Sequence, residues 1–118
     1  MVIGVAAVWL PVEDMKRAVG FYRDILGLEV IGQQPEWSEV DGNGLRIGLN
    51  ARERASSRSE GGAVISFQPE DDIESEVKRL EGAGVEFIGG ISDHEWGRIA
   101  AFKDSEGNDL QLYAPPRS

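Results

Sequence analysis

Gly27-Leu28-Glu29-Val30-Ile31 returns later in the chain as Gly84-Val85-Glu86-Phe87-Ile88. Each copy follows a stretch with helical spacing and opens a β-rich run. Upstream, Asp14-Met15 answers Asp72-Ile73 at the two helix starts. Downstream, Asp41-Gly42-Asn43-Gly44-Leu45 answers Glu106-Gly107-Asn108-Asp109-Leu110 before each final strand. Three matched points in one order make an internal repeat of about half the chain.

In the first copy, the Val, Ile and Trp content of Ile3 to Leu10 predicts a strand that ends at Pro11. Met15, Ala18, Val19, Tyr22, Ile25 and Leu26 then make one apolar face of a helix over Glu13 to Leu26. Asp14 is its N-cap and Gly27 its left-handed C-cap. Strands follow over Leu28 to Ile31, Trp37 to Val40 and Leu45 to Leu49, the last two joined by the Asp-Gly-Asn-Gly turn. The second copy repeats the pattern. A strand spans Ala63 to Gln68, and a helix capped by Asp71 or Asp72 carries Ile73, Val77 and Leu80 on one face. Strands then cover Val85 to Ile88, Arg98 to Phe102 and Asp109 to Tyr113. Between the copies, 52–62 is Arg, Glu, Ser and Gly with a single Ala, and reads as a linker. The expected fold class is therefore α+β, with two βαβββ modules (1–51 and 63–118) in one domain. Each helix should cover the convex face of a curved mixed sheet, leaving the concave faces free to form a cleft.

Composition narrows the function. The chain has 118 residues, with 12 Lys and Arg against 21 Asp and Glu, a net charge of −9. Such acidity argues against a nucleic-acid partner, because phosphate contacts need clustered cations. No cysteine is present, so disulfide scaffolds and thiolate metal sites fall away. The single histidine, His94, leaves no multi-histidine metal site within one chain. No apolar run is long enough for a bilayer, and Met1 to Pro11 lacks the basic flank and cleavage pattern of a signal peptide. The expectation is a cytoplasmic protein with no membrane partner.

The two copies resemble the vicinal oxygen chelate superfamily, which includes glyoxalase I, extradiol dioxygenases and the fosfomycin- and bleomycin-resistance proteins. The resemblance rests on Val12-Glu13-Asp14-Met15 followed by Phe21 to Leu28. It rests also on Glu95-Trp96-Gly97-Arg98 followed by Phe102 to Asn108, with Ser105 where that family usually has proline. It implies a homodimer whose clefts are completed within or between chains. It also implies metal ligands, where a metal is used, on the first and last strands of each module. At those places this chain has Ala7, Val64 or Ile65, Arg46 and Gly48, and Gln111. An open catalytic metal site wants about three His or carboxylate ligands. Arg46 is permanently cationic, and Gln111 alone is a weak neutral ligand. No metal and no cofactor is therefore expected.

Strand alternation puts Val8, Leu10, Leu45, Ile47, Leu49, Leu110 and Leu112 on the helix side. The other face carries Ala7, Trp9, Arg46, Gly48, Asn50, Asp109, Gln111 and Tyr113. Trp9, Trp37, Arg46, Asn50, Phe102, Gln111 and Tyr113 are the candidate ligand-binding residues, an aromatic lining with a few polar points. Trp9 and Trp37 serve equally well as core or interface aromatics, and Arg46 pairs as readily with Glu39 or Asp109 as with a ligand. Trp96 reads as a structural plug and His94 as a solvated loop residue. Arg52, Arg54 and Arg58 read as a solvated run that is also able to close over an acidic guest. Asp104 to Asp109 lacks the spacing of a calcium loop and reads as a hairpin turn.

The reading that follows is a metal-independent binding protein, sequestering an aromatic or partly apolar small organic molecule in a dimeric cleft. The alternative is a metal-dependent glyoxalase-like lyase or dioxygenase with an unusual ligand set, such as Gln111 with Glu39 or His94. A metal-free isomerase or cyclase with Arg46 or Tyr113 as acid ranks last, for want of a general base.

Overall fold

The computed structural model describes residues 1, 8–52 and 64–117. The elements run β1 (Val8–Pro11), α1 (Met15–Gly20) continuing as a π turn over Phe21–Ile25, β2 (Glu29–Gln33), β3 (Trp37–Asp41) and β4 (Arg46–Asn50). They continue as β5 (Ile65–Phe67), α2 (Ile73–Gly82), β6 (Phe87–His94), β7 (Gly97–Lys103) and β8 (Asp109–Ala114). The chain divides into two compact units, Met1–Glu60 and Gly61–Ser118. Each unit builds a four-stranded mixed sheet of the same topology, β1-β4-β3-β2 and β5-β8-β7-β6. In each, the first strand lies parallel to the last, and the remaining pairs are antiparallel. This is an α+β fold of two βαβββ modules.

The repeat signals have direct structural counterparts. Asp14 and Asp72 both N-cap, accepting the Arg17 and Ser75 amides at 3.1 and 2.7 Å. Gly27 and Gly84 both leave their helices with positive φ, +80° and +95°. That conformation is cheap only without a Cβ. The first helix departs from a simple 3.6-residue repeat. Leu26 N–H donates to the Phe21 carbonyl, the i→i−5 bond of a π turn. The extra residue brings Phe21 and Tyr22 inward together, as an edge-to-face pair with ring centroids 5.5 Å apart.

The first unit packs Val12, Met15, Val19 and Tyr22 against Val40, Ile47 and Leu49. The second packs Ile73, Leu80 and Val85 against Ala100, Phe102, Leu110 and Leu112. Leu45, expected among the core leucines, sits in the turn before β4 and is 37% exposed. Its carbonyl accepts the Gly42 amide and closes the hairpin. Both outer strands, β2 and β6, are bulged, between Val30 and Gly32 and between Ile88 and Ser92. In β6 the bulge absorbs Gly89 at φ +75° and lets the strand run on to His94. The expected end at Ile88 is thereby corrected, and His94 is a strand residue rather than a loop residue. Most of 52–62, with Arg54 and Arg58, lies outside the described residues, as does Ala7.

Candidate functional site

On the face of the first sheet away from its core, the register brings Trp9 beside Gly48, Gly48 beside Glu39, and Asn50 beside Trp37. A glycine inside a strand usually marks a close approach by something else. Here that something is the Trp37 indole. A Cβ at position 48 would collide with Trp37 Cζ2 and would lie 3.1 Å from Trp9 Cβ. Trp37 is therefore laid flat across the strand, with Trp9 alongside and 51% exposed.

The polar groups on this face are organised around one carboxylate. Glu39 Oε2 accepts the Trp37 indole N–H at 3.0 Å, and Oε1 accepts from Arg46 at 3.3 Å. Glu39 is the sequence-level candidate partner of Arg46 that the structure selects. Asp109, the other candidate, pairs with Lys103 at 2.6 Å. Asn50 is buried, and its Oδ1 accepts the Arg52 amide at 3.0 Å. That turn sets the Arg52 guanidinium 5.7 Å from the Trp37 ring centroid. Asn50 thus shapes the site by holding Arg52. Among these residues runs a groove of about 400 Å³, lined by Ile31, Gly32, Gln33 and Gln34 together with Trp37, Glu39 and Arg52. A wider groove of about 680 Å³ at the start of α1 is lined by Glu13, Lys16, Gln33 and Pro35 among others, and holds no aromatic side chain.

The second unit has its own open face. Gln111 donates to Ser66 Oγ at 2.6 Å, across the parallel β5–β8 pair. Tyr113 donates its hydroxyl proton to the Trp96 carbonyl at 3.0 Å, and its ring lies against Gly97. Trp96, expected as a plug, is 57% exposed and stacks on the His94 imidazole at 4.6 Å. The other side of that histidine is satisfied by Ser92 Oγ at 3.0 Å.

Phe102 is a correction. It was expected with Trp37 on the ligand side, yet it is fully buried in register with Leu110, its ring 5.2 Å from Phe87. Its strand phase includes Arg98, which is buried too. Arg98 is paid for by charge-assisted bonds to Glu74 and Asp93, both at 2.7 Å. The Arg98 hydrogen bond lowers the Glu74 carboxyl to about 2. The Asp104 turn is also structural. Asp104 Oδ1 accepts the amides of Glu106 and Asn108, and Oδ2 accepts from the Asn108 side chain, all within 2.9 Å. Among the described residues, no group of three His, Asp or Glu side chains is placed to hold a metal ion. No helix among them is long and apolar enough to cross a membrane.

Gly48, Glu39 and the Ile31–Gln34 wall were not singled out as ligand contacts from the sequence. The mid-strand glycine was the available signal, since an empty position between two tryptophans in register asks what fills it.

Comparison with known proteins agrees with this architecture. Protein YetH of Bacillus subtilis (strain 168) is 31% identical over 117 residues, covering 93% of this chain and 95% of that protein. The crystal structure of TnmS3, an antibiotic binding protein from Streptomyces sp. CB03234, matches with a TM-score of 0.77 at 28% identity, covering 98% of each chain. The fold is shared as well with the fosfomycin resistance protein FosX from Listeria monocytogenes, crystallised with Mn(II) and sulfate. That match has a TM-score of 0.79 at 22% identity and covers 98% of this chain and 92% of that one. The model of the Glyoxalase/Bleomycin resistance protein/Dioxygenase superfamily matches residues 3–112, and the chain belongs to that superfamily.

Proposed function

We propose that the protein is a metal-independent small-molecule-binding member of this superfamily, a cytoplasmic homodimer that sequesters an aromatic or partly apolar ligand in a dimeric cleft. The observation that carries the reading is the Trp37 indole, laid across Gly48 and lining a groove of about 400 Å³ with Ile31, Glu39 and Arg52, while Trp9 lies beside Gly48 and is 51% exposed. A groove of that size suits a small organic guest, and an exposed indole gains by covering its apolar face. Trp9, Trp37, Arg46 and Asn50 belong to this reading as contact or positioning residues, and Gln111 and Tyr113 as polar points on the second unit. TnmS3, 28% identical over nearly its whole length, is an antibiotic binding protein. Metal independence is supported by side-chain chemistry. Alanine, glycine and arginine stand at three of the places where the resemblance implies ligands, and Gln111 offers only a neutral amide oxygen.

Tryptophan emission of the purified chain, titrated with bleomycin and with neutral, anionic and cationic naphthalenes, tests the proposal with and without EDTA. The expected result is saturable quenching that EDTA does not change. No emission change up to about 1 mM of any probe, a concentration that corresponds to only ~4 kcal/mol of binding, would refute binding. Loss in EDTA with recovery on adding Mn(II) or Ni(II) would instead favour the metal-dependent lyase or dioxygenase. Light scattering on the eluting protein reads the dimer directly.

A further inference from the structure

We infer that the open face of the first unit selects a flat aromatic ligand that carries an anionic group, with Arg52 as the partner of that group. The inference rests on the aromatic-binding proposal and adds the ligand's charge. The chain as a whole is at −9, which would draw cations. The local arrangement runs the other way. Both oxygens of Glu39 are occupied, one by the Trp37 indole N–H and one by Arg46. A cationic guest would have to displace Arg46 to reach that carboxylate. Arg46 is correspondingly engaged, so it is not the first cation an anion would meet.

Arg52 is different. Its guanidinium lies over the Trp37 ring, and among the described residues none supplies a carboxylate to it. The charged side chains lining the groove are Glu39 and Arg52, and with Glu39 already held by Trp37 and Arg46, Arg52 is the charge left facing it. The Asn50 turn holds the Arg52 backbone in place, so the cation is presented at the groove rather than trailing into solvent. Trp37, Glu39 and Arg52 line that same groove, with Ile31 as its apolar wall. An aryl ring set between Ile31 and Trp37 would bring a carboxylate, phenolate or sulfonate on its edge towards Arg52. The planar fork of arginine suits such a group.

Calorimetric titration of the full chain with naphthalene-2-carboxylate and with its neutral isostere naphthalene-2-carboxamide tests this, alongside Arg52→Gln. Arg52 is exposed, so an exposed ion pair sets the scale, and the carboxylate should bind about 5-fold tighter than the carboxamide. That preference, read as the ratio of the two affinities within one variant, should vanish in Arg52→Gln whatever the variant's absolute affinities. It should also shrink when salt is raised from about 50 to about 500 mM. Equal affinities in the parent chain, or a preference that survives Arg52→Gln, overturns the inference and leaves the aromatic-binding proposal standing. If neither compound binds, the inference falls, and the aromatic-binding proposal falls with it only when bleomycin and the cationic naphthalene fail as well.

Discussion

Replacing Phe102 by alanine separates the two faces of the second sheet. The ring is fully buried, packed on Phe87 at 5.2 Å and in register with Leu110. Truncating such a phenylalanine removes its transfer free energy and leaves a cavity, about 3–5 kcal/mol together. Unfolding entropy near 2.1 cal/mol/K per residue gives roughly 0.25 kcal/mol/K for 118 residues, so a loss of ~4 kcal/mol lowers Tm by about 16 °C. If the unit Gly61–Ser118 melts by itself, the same loss acts on about half that entropy, and its transition falls by ~30 °C. Trp9→Ala is the control. That side chain is half exposed, so Tm should move by only about 2–4 °C, the scale of ~0.5–1 kcal/mol, while probe binding weakens. Thermal melts followed by circular dichroism, with naphthalene titration of each variant, make the comparison. A Phe102→Ala protein that melts within about 3 °C of the parent but no longer binds the probe would refute the assignment of Phe102 to the core.

Three further outcomes are expected. Gly48→Ala should push Trp37 off the sheet, which red-shifts tryptophan emission and weakens naphthalene binding about 10-fold, with far-ultraviolet dichroism unchanged. Unshifted emission would mean the indole does not rest on Gly48. The Glu74 carboxyl is lowered to about 2 by the Arg98 hydrogen bond, so its stabilising contribution is fully present above the ordinary value of 4.5 and is lost as pH falls through about 2. Urea midpoints of the parent and Glu74→Gln should therefore differ at pH 6 and converge near pH 2, and parallel curves would contradict the linkage. Asp104→Ala removes the acceptor for two buried-turn amides and should cost about 2 kcal/mol or more, read as a drop in the urea midpoint without a change in slope.

Much of the fold was legible because its signals are local. Asp14 and Asp72 cap the amides three residues on, and Gly27 and Gly84 take conformations other residues avoid, so both helices and the repeat could be read from short windows. The alternation in β4 was equally readable, since Ile47 and Leu49 are apolar and their neighbours are not. Phe102, grouped with Trp37 as lining with no phase assigned on β7, shares its buried phase with Ala100 and with Arg98, whose burial needs its ion-pair partners. One of those partners, Glu74, is 24 residues away on α2. Likewise the strand expected to end at Ile88 passes through a bulge at Gly89 and continues to His94.

By itself, then, the sequence determined the two βαβββ modules, the superfamily and the aromatic character of the open face, because capping, turn chemistry and period-two patterning act within a few residues. Only the tertiary structure decided which charges are spent. Glu39 could have faced a ligand, but cross-strand register sets it against Trp37 and Arg46. Phe102 could have faced the ligand, but its ring is fully buried against Phe87 and in register with Leu110. Arg52 reads from the sequence as a solvated arginine or as one able to close over an acidic guest, and only the Asn50 turn sets it over Trp37. Pairing across strands depends on register and on partners far apart in sequence, and no local window contains either.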